Sequence, residues 1–424
     1  MDPKISIVVP TLDNLQDLHS LIESINQQTL LPREVVIADS SSSNAIQDSI
    51  PKMASKVPIA YYRVGRAYRF DRLLGIMSSI KILGKFFPEF PAGRAFPYEA
   101  TNAGVKKATY EWIAFLDAST IPMKSWLRDY WDFICMHDCD VVFGNTKYFA
   151  ETKFQKLLRA STYGGKGHET APGSIIKKAH FLNGHEIMEG VRSGGDVAWK
   201  QNIKANFRFF FPTSHYLKYS NLPKNIMPIM KKFFIYQIFS AFVDIQHTVK
   251  SAYLGLALIF SLIIVPKWNY IVGWDSPFFI PHVTKVFFIC LLIVLSVTFL
   301  INRTLLNKLS GNSFLINMSK LTIFFIIAYS IYSWNAVVAK WVEDSVWYIP
   351  HITKIFIFCV LFLSFIYRGI YFPLKNKITF NFLFPFNWIL VGALGIVLDL
   401  VKAPGYLLGG ILSSIIVRKP FKKD

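Results

Sequence analysis

Long apolar segments in the second half of the chain restrict the possible folds more than any other feature of the sequence. After about residue 251, windows of roughly 20 residues are nearly free of charge, and this length crosses the hydrocarbon core of a bilayer. Before about residue 225, apolar residues are mixed with charges and turn residues, as in a globular domain. The sequence therefore predicts a soluble domain followed by an α-helical transmembrane domain.

The predicted transmembrane domain, residues 251–417, contains four spans and one interrupted apolar stretch. The spans cover residues 251–274, 278–301, 320–342 and 350–372, and the stretch covers residues 388–417. Lysine and arginine occur in the connections after the second and fourth spans, whereas the connection after the third contains Glu343 and Asp344. Since positive loops mark the cytosolic side, we expect a multi-pass protein whose first domain lies in the cytoplasm.

The last apolar stretch is interrupted by Asp399, Lys402, Pro404 and Gly405. A complete crossing would place the basic tail, residues 418–424, on the outer side, against the charge rule. We therefore favour a broken or re-entrant segment that returns the tail to the cytosol over a fifth crossing.

An internal repeat is visible within the predicted transmembrane domain. "WNYIVGWDSPFFIPHVTKVFFIC", from Trp268, aligns with "WNAVVAKWVEDSVWYIPHITKIFIFC", from Trp334, and both contain Trp-Asn, Asp-Ser, Ile-Pro-His, Thr-Lys and Cys in the same order. Apolar composition alone does not produce such polar punctuation. The sequence predicts two copies of one helical hairpin, inserted in the same orientation.

Basic residues give the chain a formal net charge of +19. They are dense in residues 63–107 and recur as Lys224, Lys231 and Lys232 before the first predicted span. Residues 225–250 mix aromatic and basic side chains, as an interfacial helix does. This placement favours membrane lipids and phosphorylated substrates as partners, and without a recognisable reading element we expect no nucleic acid.

The first 224 residues alternate strand and helix patterns. "KISIVVPTLDN" indicates a buried strand, "LQDLHSLIESINQQ" an amphipathic helix and "REVVIADSSSS" a second strand, and "EWIAFLDAST" and "CDVVFGNTKYF" repeat the strand pattern. These patterns predict an α/β domain with a mainly parallel sheet, whose ligands collect at the carboxyl ends of the strands. Pro10, Thr11, Asp39 and Asp117 stand at those ends.

Nucleotide-binding loops of the common kinds are missing from this pattern. No Walker loop and no G-x-G-x-x-G opens the first helix, so a P-loop or dinucleotide-binding fold has little support. "GGKGHETAPG" is rich in glycine but does not follow a clear strand, and we expect a loop there.

Three segments resemble family 2 glycosyltransferases, which are inverting enzymes with a GT-A fold. "ISIVVPTLDNLQDLHSLIESINQQTLLPREVVIADSSSS" is similar to the opening of that family. "YEATNAGVKKATYEWIAFLDASTIPMKSWL" resembles its stretch from a donor-binding Asn-x-Gly to a metal-binding acid loop, and "VRSGGDVAWK" resembles its acidic catalytic motif. The resemblance implies a nucleotide-diphospho-sugar transferase domain with a Rossmann-like GT-A fold.

The resemblance also implies roles for individual residues. It makes Pro10, Thr11 and Asp39 contacts to the base and ribose of a nucleotide sugar, and Asp117 the ligand of Mg²⁺ or Mn²⁺ beside the donor diphosphate. Asp196 becomes the general base that deprotonates an acceptor hydroxyl. The remaining predicted donor contacts are Arg94, Asn102, Gly104, Ser119 and Arg192, the two arginines as cations for the diphosphate.

Two positions depart from the family pattern. The second acid of the metal loop is Ser119, and the acid that usually precedes the general base is Gly195. A serine hydroxyl or a water can still support the ion, which weakens metal binding without abolishing it. Metal dependence is therefore expected to rest mainly on Asp117 and the phosphates of the donor.

Together these features predict a membrane-bound inverting glycosyltransferase. The expected acceptor is lipid-linked, a polyprenyl phosphate or a polyprenyl-linked glycan, because a basic and aromatic segment places the predicted site beside lipid headgroups. The alternative is a membrane scaffold or transporter that binds a nucleotide sugar without turning it over. The acids missing at Ser119 and Gly195 support that alternative.

Overall fold

A computed structural model describes residues 3–65, 95–243, 245–283, 286, 330, 333–338, 348–349 and 351–416. The chain forms two compact units, Met1–His247 with Gly369–Gly410, and Thr248–Arg368 with Ile411–Asp424. The first unit therefore continues past the predicted boundary at residue 224. Most of the predicted spans 278–301 and 320–342, and the tail 418–424, lie outside the described residues.

Nine strands in the described part of the first unit form one sheet, in the order β3-β2-β1-β4-β7-β6-β9-β5 with β8 beside β6. The strands are β1 Ile5–Thr11, β2 Glu34–Asp39, β3 Ile59–Arg63, β4 Trp112–Phe115, β5 Thr120–Pro122, β6 Val141–Tyr148, β7 His168–Lys177, β8 Phe209–Phe210 and β9 Leu217–Tyr219.

The sheet is parallel in one half and mixed in the other. Strands β3, β2, β1 and β4 run parallel, whereas β7 is antiparallel to both β4 and β6, and β5 is antiparallel to β9. The predicted α/β class is confirmed, although the antiparallel strand β7 interrupts the parallel run between β4 and β6. The loop expected at "GGKGHETAPG" is wrong from His168 onwards, because the segment pairs with β6 as strand β7.

In chain order, the helices among the described residues of both units are α1 Leu15–Asn26, α2 Ala45–Ser49, α3 Pro97–Lys107, α4 Trp126–His137, α5 Lys153–Leu158, α6 Lys178–Leu182, α7 Gly195–Asn206, α8 Ile226–Ser240, α9 His247–Ile264, α10 Trp268–Val272, α11 Ile352–Ile366, α12 Phe372–Lys375, α13 Phe380–Leu383 and α14 Asn387–Ile416. Helices of the first unit cover both faces of its sheet. On one face Trp126 of α4 is buried with Ile7, and on the other Trp199 of α7 is buried with Val8. Burial of both strand faces explains why β1 and β2 read as continuous apolar runs.

Helices α8 and α14 pack together in the first unit. Ile229 and Phe233 of α8 share a buried cluster with Leu394 and Leu398 of α14. Helix α14 is continuous from Asn387 to Ile416 with Pro404 inside it, so the helix shows no break at the interrupting residues, and a re-entrant course stays a prediction. Whether α14 enters a membrane stays a prediction.

The second unit preserves the sequence repeat in its local structure. Asn269 donates to the carbonyl of Ile280 and accepts from its amide, and Asn335 makes the same two hydrogen bonds with Ile349. Thus both copies fix the start of their Ile-Pro-His segment in the same way.

Two helical windows in the described residues are long and apolar enough to cross a bilayer. They are Ile357–Lys375 and Asn387–Gly410, and half of the second window is buried within the protein. The two windows give weak support for membrane association, and the multi-pass topology stays a prediction.

Candidate active site

The carboxyl ends of β2, β1 and β4 lie at one edge of the sheet because these strands are adjacent and parallel. Thr11 pairs with Asp39 at this edge, and Asp117 follows β4 directly after Leu116. The residues predicted from strand ends are therefore neighbours in the fold.

The Asp39 carboxylate is fully buried and hydrogen-bonded on both oxygens. Its Oδ1 accepts from Thr11 Oγ1 at 3.0 Å and from the amide and hydroxyl of Ser41 at 3.0 and 2.6 Å, and its Oδ2 accepts from Tyr61 Oη at 2.9 Å. Burial, followed by the hydrogen bond to Asp39, raises the pKa of the Tyr61 phenol. Asp39 thus fixes the loop after β2.

A cavity of about 170 Å³ opens at the same edge. Its lining includes three of the predicted contacts, Pro10, Asp117 and Arg192, together with the predicted base Asp196. Two carboxylates that are distant in the sequence therefore face one space, which is the arrangement that a donor diphosphate and an acceptor hydroxyl require.

Asp117 is held in an environment that disfavours its charge. Burial and, to a smaller extent, the charge of the nearby Asp196 raise the pKa of this carboxyl from 3.8 to about 6, against the opposing positive charge of Lys232. In the described part of the chain no hydrogen bond reaches the Asp117 side chain, since Thr120 binds only its carbonyl. A cation bound here would relieve the repulsion between the two carboxylates.

Asp196 lies in the first turn of α7, where the helix dipole favours a carboxylate. Its Oδ1 accepts a hydrogen bond from Tyr98 Oη at 2.8 Å. Burial, followed by the charge of Asp196, raises the pKa of Tyr98, so the phenol keeps its proton and donates. A side chain at Gly195 would meet this ring, since its Cβ would lie 2.7 Å from Tyr98 Cε2. Packing against Tyr98 therefore explains why position 195 holds glycine in place of the acid in the family pattern.

Asn102 and Gly104 lie on α3 and are absent from the cavity lining. The Asn102 amide is fully buried: it donates to the carbonyl of Ile187 at 2.8 Å and to Glu189 Oε1 at 3.0 Å, and it accepts from the Ile187 amide at 3.2 Å. A Cβ at Gly104 would lie 2.6 Å from Val8 Cγ1, so glycine allows α3 to approach β1. The sequence motif thus marks packing residues behind the cavity wall.

The remaining predicted contacts do not line the cavity or lie outside the described residues. Thr11, Asp39 and Ser119 are absent from the cavity lining, and Arg94 lies outside the described residues. Among the described residues, no group of three or more His, Cys, Asp or Glu side chains could hold a metal ion. A lone carboxylate fits an ion that takes its remaining ligands from phosphate oxygens and water. Asp117 therefore suits a metal that arrives with a diphosphate.

Sequence reasoning missed two aromatic walls of the cavity, Tyr98 and Tyr236. Tyr98 precedes the Asn-x-Gly motif by four residues, and this proximity is the only feature of the sequence that could have identified it as a site residue. Tyr236 belongs to α8, which was expected to be an interfacial linker. The mixture of tyrosine and lysine in that helix was visible in the sequence, although its packing against the cavity was not.

Comparisons with known proteins match the domain that contains this site. The sequence model of glycosyl transferase family 2 matches residues 91–189. Chondroitin synthase from Escherichia coli is 23% identical over 154 residues, covering 36% of this chain and 19% of that protein. The chain thus spans about a fifth of that relative's length. Residues 91–189 carry a glycosyl transferase family 2 domain, which confirms that part of the predicted resemblance and supports a transferase.

Solved structures were also compared with this chain. Residues 1–349 of S. aureus TarS in complex with UDP-GlcNAc align with a TM-score of 0.38 and 19% identity, covering 64% of this chain and 76% of that one. The mannosyltransferase PcManGT from Pyrobaculum calidifontis, in complex with GDP-Man and Mn²⁺, aligns with a TM-score of 0.37 and 15% identity, covering 57% of this chain and 64% of that one.

Proposed function

We propose that this chain is a membrane-bound inverting glycosyltransferase that moves a sugar from a nucleotide-diphosphate donor in the cytosol to a lipid-linked acceptor. The observation behind the proposal is the single cavity, at the carboxyl edge of parallel strands, that Asp117 and Asp196 both line. The family 2 domain over residues 91–189 supplies the reaction class. The acceptor class is polyprenyl phosphate or a polyprenyl-linked glycan.

The donor lies along the strand ends in this proposal. Its nucleoside contacts the Pro10–Thr11 end of β1 and the loop that Asp39 orders, and its diphosphate lies beside Asp117 with Arg192 as a cationic wall. Mg²⁺ or Mn²⁺ held by Asp117 would neutralise the diphosphate. Asn102 and Gly104 act indirectly, through the packing of α3.

Asp196 removes the proton of the acceptor hydroxyl. The acceptor oxygen bonds to the anomeric carbon, the bond from that carbon to the phosphate oxygen breaks, and the electron pair leaves with the nucleoside diphosphate. Tyr98 positions the base, since it binds Oδ1 at 2.8 Å and leaves Oδ2 for the acceptor. A phosphate acceptor that is already ionised would use Asp196 for orientation alone.

Support for a lipid-linked acceptor comes from the elements next to the cavity. Helix α8 supplies Tyr236 to its wall and also contains Lys231 and Lys232 within an apolar, aromatic sequence. Such a helix suits the interface between water and lipid. An acceptor headgroup could then reach Asp196 while its lipid chain stays in the bilayer.

The test is release of nucleoside diphosphate by the full chain in detergent, supplied with nucleotide sugars and a polyprenyl phosphate. We expect release that Mn²⁺ stimulates and that Asp196→Asn reduces by a factor of 100 or more. Binding of the nucleotide without Asp196-dependent release would favour the non-catalytic scaffold or transporter instead. The serine at position 119 supports that alternative, whereas Gly195 does not, because Tyr98 accounts for the glycine.

A further inference from the structure

Lys232 of α8 points its ammonium group into a cluster of tyrosine rings. The ammonium lies 5.4 Å from the ring centre of Tyr236 and 5.9 Å from that of Tyr219. The tyrosine cluster is completed by Tyr148 and Tyr163, whose rings stack at 4.1 Å, with Tyr148 lying 5.3 Å from Tyr219. Four phenols from separate elements therefore surround one cation.

No carboxylate in the described residues forms a salt bridge with this cation, although its charge lowers the pKa of the nearby Asp117. None of the ion pairs found there includes Lys232, although its side chain is partly buried. The phenols are no substitute for an anion: burial raises the pKa of Tyr148 and Tyr163, the latter to about 12, so both rings remain neutral. A cation partly withdrawn from water without a salt-bridge partner is costly, and an anionic ligand would offset that cost.

The tyrosine cluster adjoins the cavity of the proposed active site. Tyr236 follows Lys232 by one helical turn and lines that cavity with Asp117 and Asp196. Tyr219 pairs with Thr120, at the end of the loop that contains Asp117 and Ser119. Lys232 therefore stands beside the loop in which serine replaces the second acid.

We propose that Lys232 is a binding residue for the diphosphate of the nucleotide donor. This inference rests on the proposed function and deepens it. Asp117 and Lys232 together carry no net charge, whereas two acids would carry two negative charges and need a metal before a diphosphate could approach. Lys232 thus replaces part of the positive charge that a metal would supply, and the chain retains diphosphate binding when metal is removed.

The experiment measures binding of UDP, GDP and dTDP to the full chain in detergent by calorimetry, in EDTA and again in Mn²⁺. The variants are Lys232→Met and Lys232→Gln, the second of which keeps a polar side chain without the charge. Lys231→Met removes a neighbouring charge from the same helix and is the matched control. Uridine, guanosine and thymidine report on nucleoside contacts without a diphosphate.

In EDTA, the wild-type protein and Lys231→Met should bind one of the diphosphates equally, whereas both Lys232 variants should bind it about tenfold to a hundredfold more weakly. In Mn²⁺ the two Lys232 variants should lose less of their affinity for the diphosphate, and their affinity for the nucleosides should equal that of the wild type. Equal affinity of the wild type and the Lys232 variants, or an equal loss in Lys231→Met, overturns the role of Lys232 and leaves the proposed function standing. If the wild type binds no nucleoside diphosphate in either condition, the proposed function itself fails.

Discussion

Replacing Asp117 with asparagine should stabilise the ligand-free protein, and only at neutral and higher pH. The carboxylate is partly buried, faces Asp196 and receives no hydrogen bond in the described part of the chain. Asparagine has nearly the same shape and removes the charge without breaking a contact. A residue of the proposed active site that lowers the stability of the ligand-free protein follows the usual trade-off between stability and function.

The magnitude follows from the raised pKa. The difference between 3.8 and about 6 corresponds to about 3 kcal/mol, and the partial exposure of the Asp117 side chain reduces the expected gain to about 1–3 kcal/mol. Because this pKa is raised, the native state binds the carboxyl proton of Asp117 more tightly than the unfolded chain does. The contribution of Asp117 to wild-type stability is therefore intact below about pH 4 and is lost as the pH rises through about 6.

Thermal unfolding in detergent with EDTA measures this effect at pH 4 and pH 8. At pH 8, Asp117→Asn should raise the melting temperature by roughly 2–8 °C, and at pH 4 it should change little. Asp132→Asn, which changes an exposed carboxylate on α4, should have no comparable effect. A gain that is equal at both pH values, or absent at pH 8, would refute the reasoning.

Three further substitutions test the packing of the site. Tyr98→Phe removes the hydrogen bond to Asp196 and should lower kcat about tenfold with little change in the KM for the donor, measured by steady-state kinetics. Gly104→Ala forces a Cβ to within 2.6 Å of a β1 side chain and should lower the melting temperature, whereas Gly65→Ala, with nothing within 4 Å, should not. Asn102→Ala leaves the buried amide of Ile187 unpaired and should cost about 1–3 kcal/mol in denaturant unfolding.

The parts of the site that lie at strand ends could be predicted from the sequence. Continuous apolar runs identify β1, β2 and β4, and parallel strands place Thr11, Asp39 and Asp117 at one edge. The role of Asn102 was harder to infer, because a motif gives the residue type but not the direction of its side chain. Its amide is fully used by the segment that contains Ile187.

The contributions of distant segments could not be predicted. The sequence of helix α8 is typical of an interfacial linker. In the structure α8 packs within the first unit, and Lys232 and Tyr236 lie near the loop after β4. The glycine-rich segment before Lys177 has the composition of a loop, yet it pairs with β6 over its length from His168. In both cases tertiary packing overrides local sequence character.

The central claim is that Asp117 and Asp196 face one cavity that receives the donor diphosphate. An experimental structure of the full chain with a bound nucleoside diphosphate tests it most directly. The account predicts the phosphates beside Asp117, with Asp196 on the opposite side of the sugar position. A nucleotide bound away from the carboxyl edge of β1 and β4, or carboxylates that open into separate spaces, would contradict it.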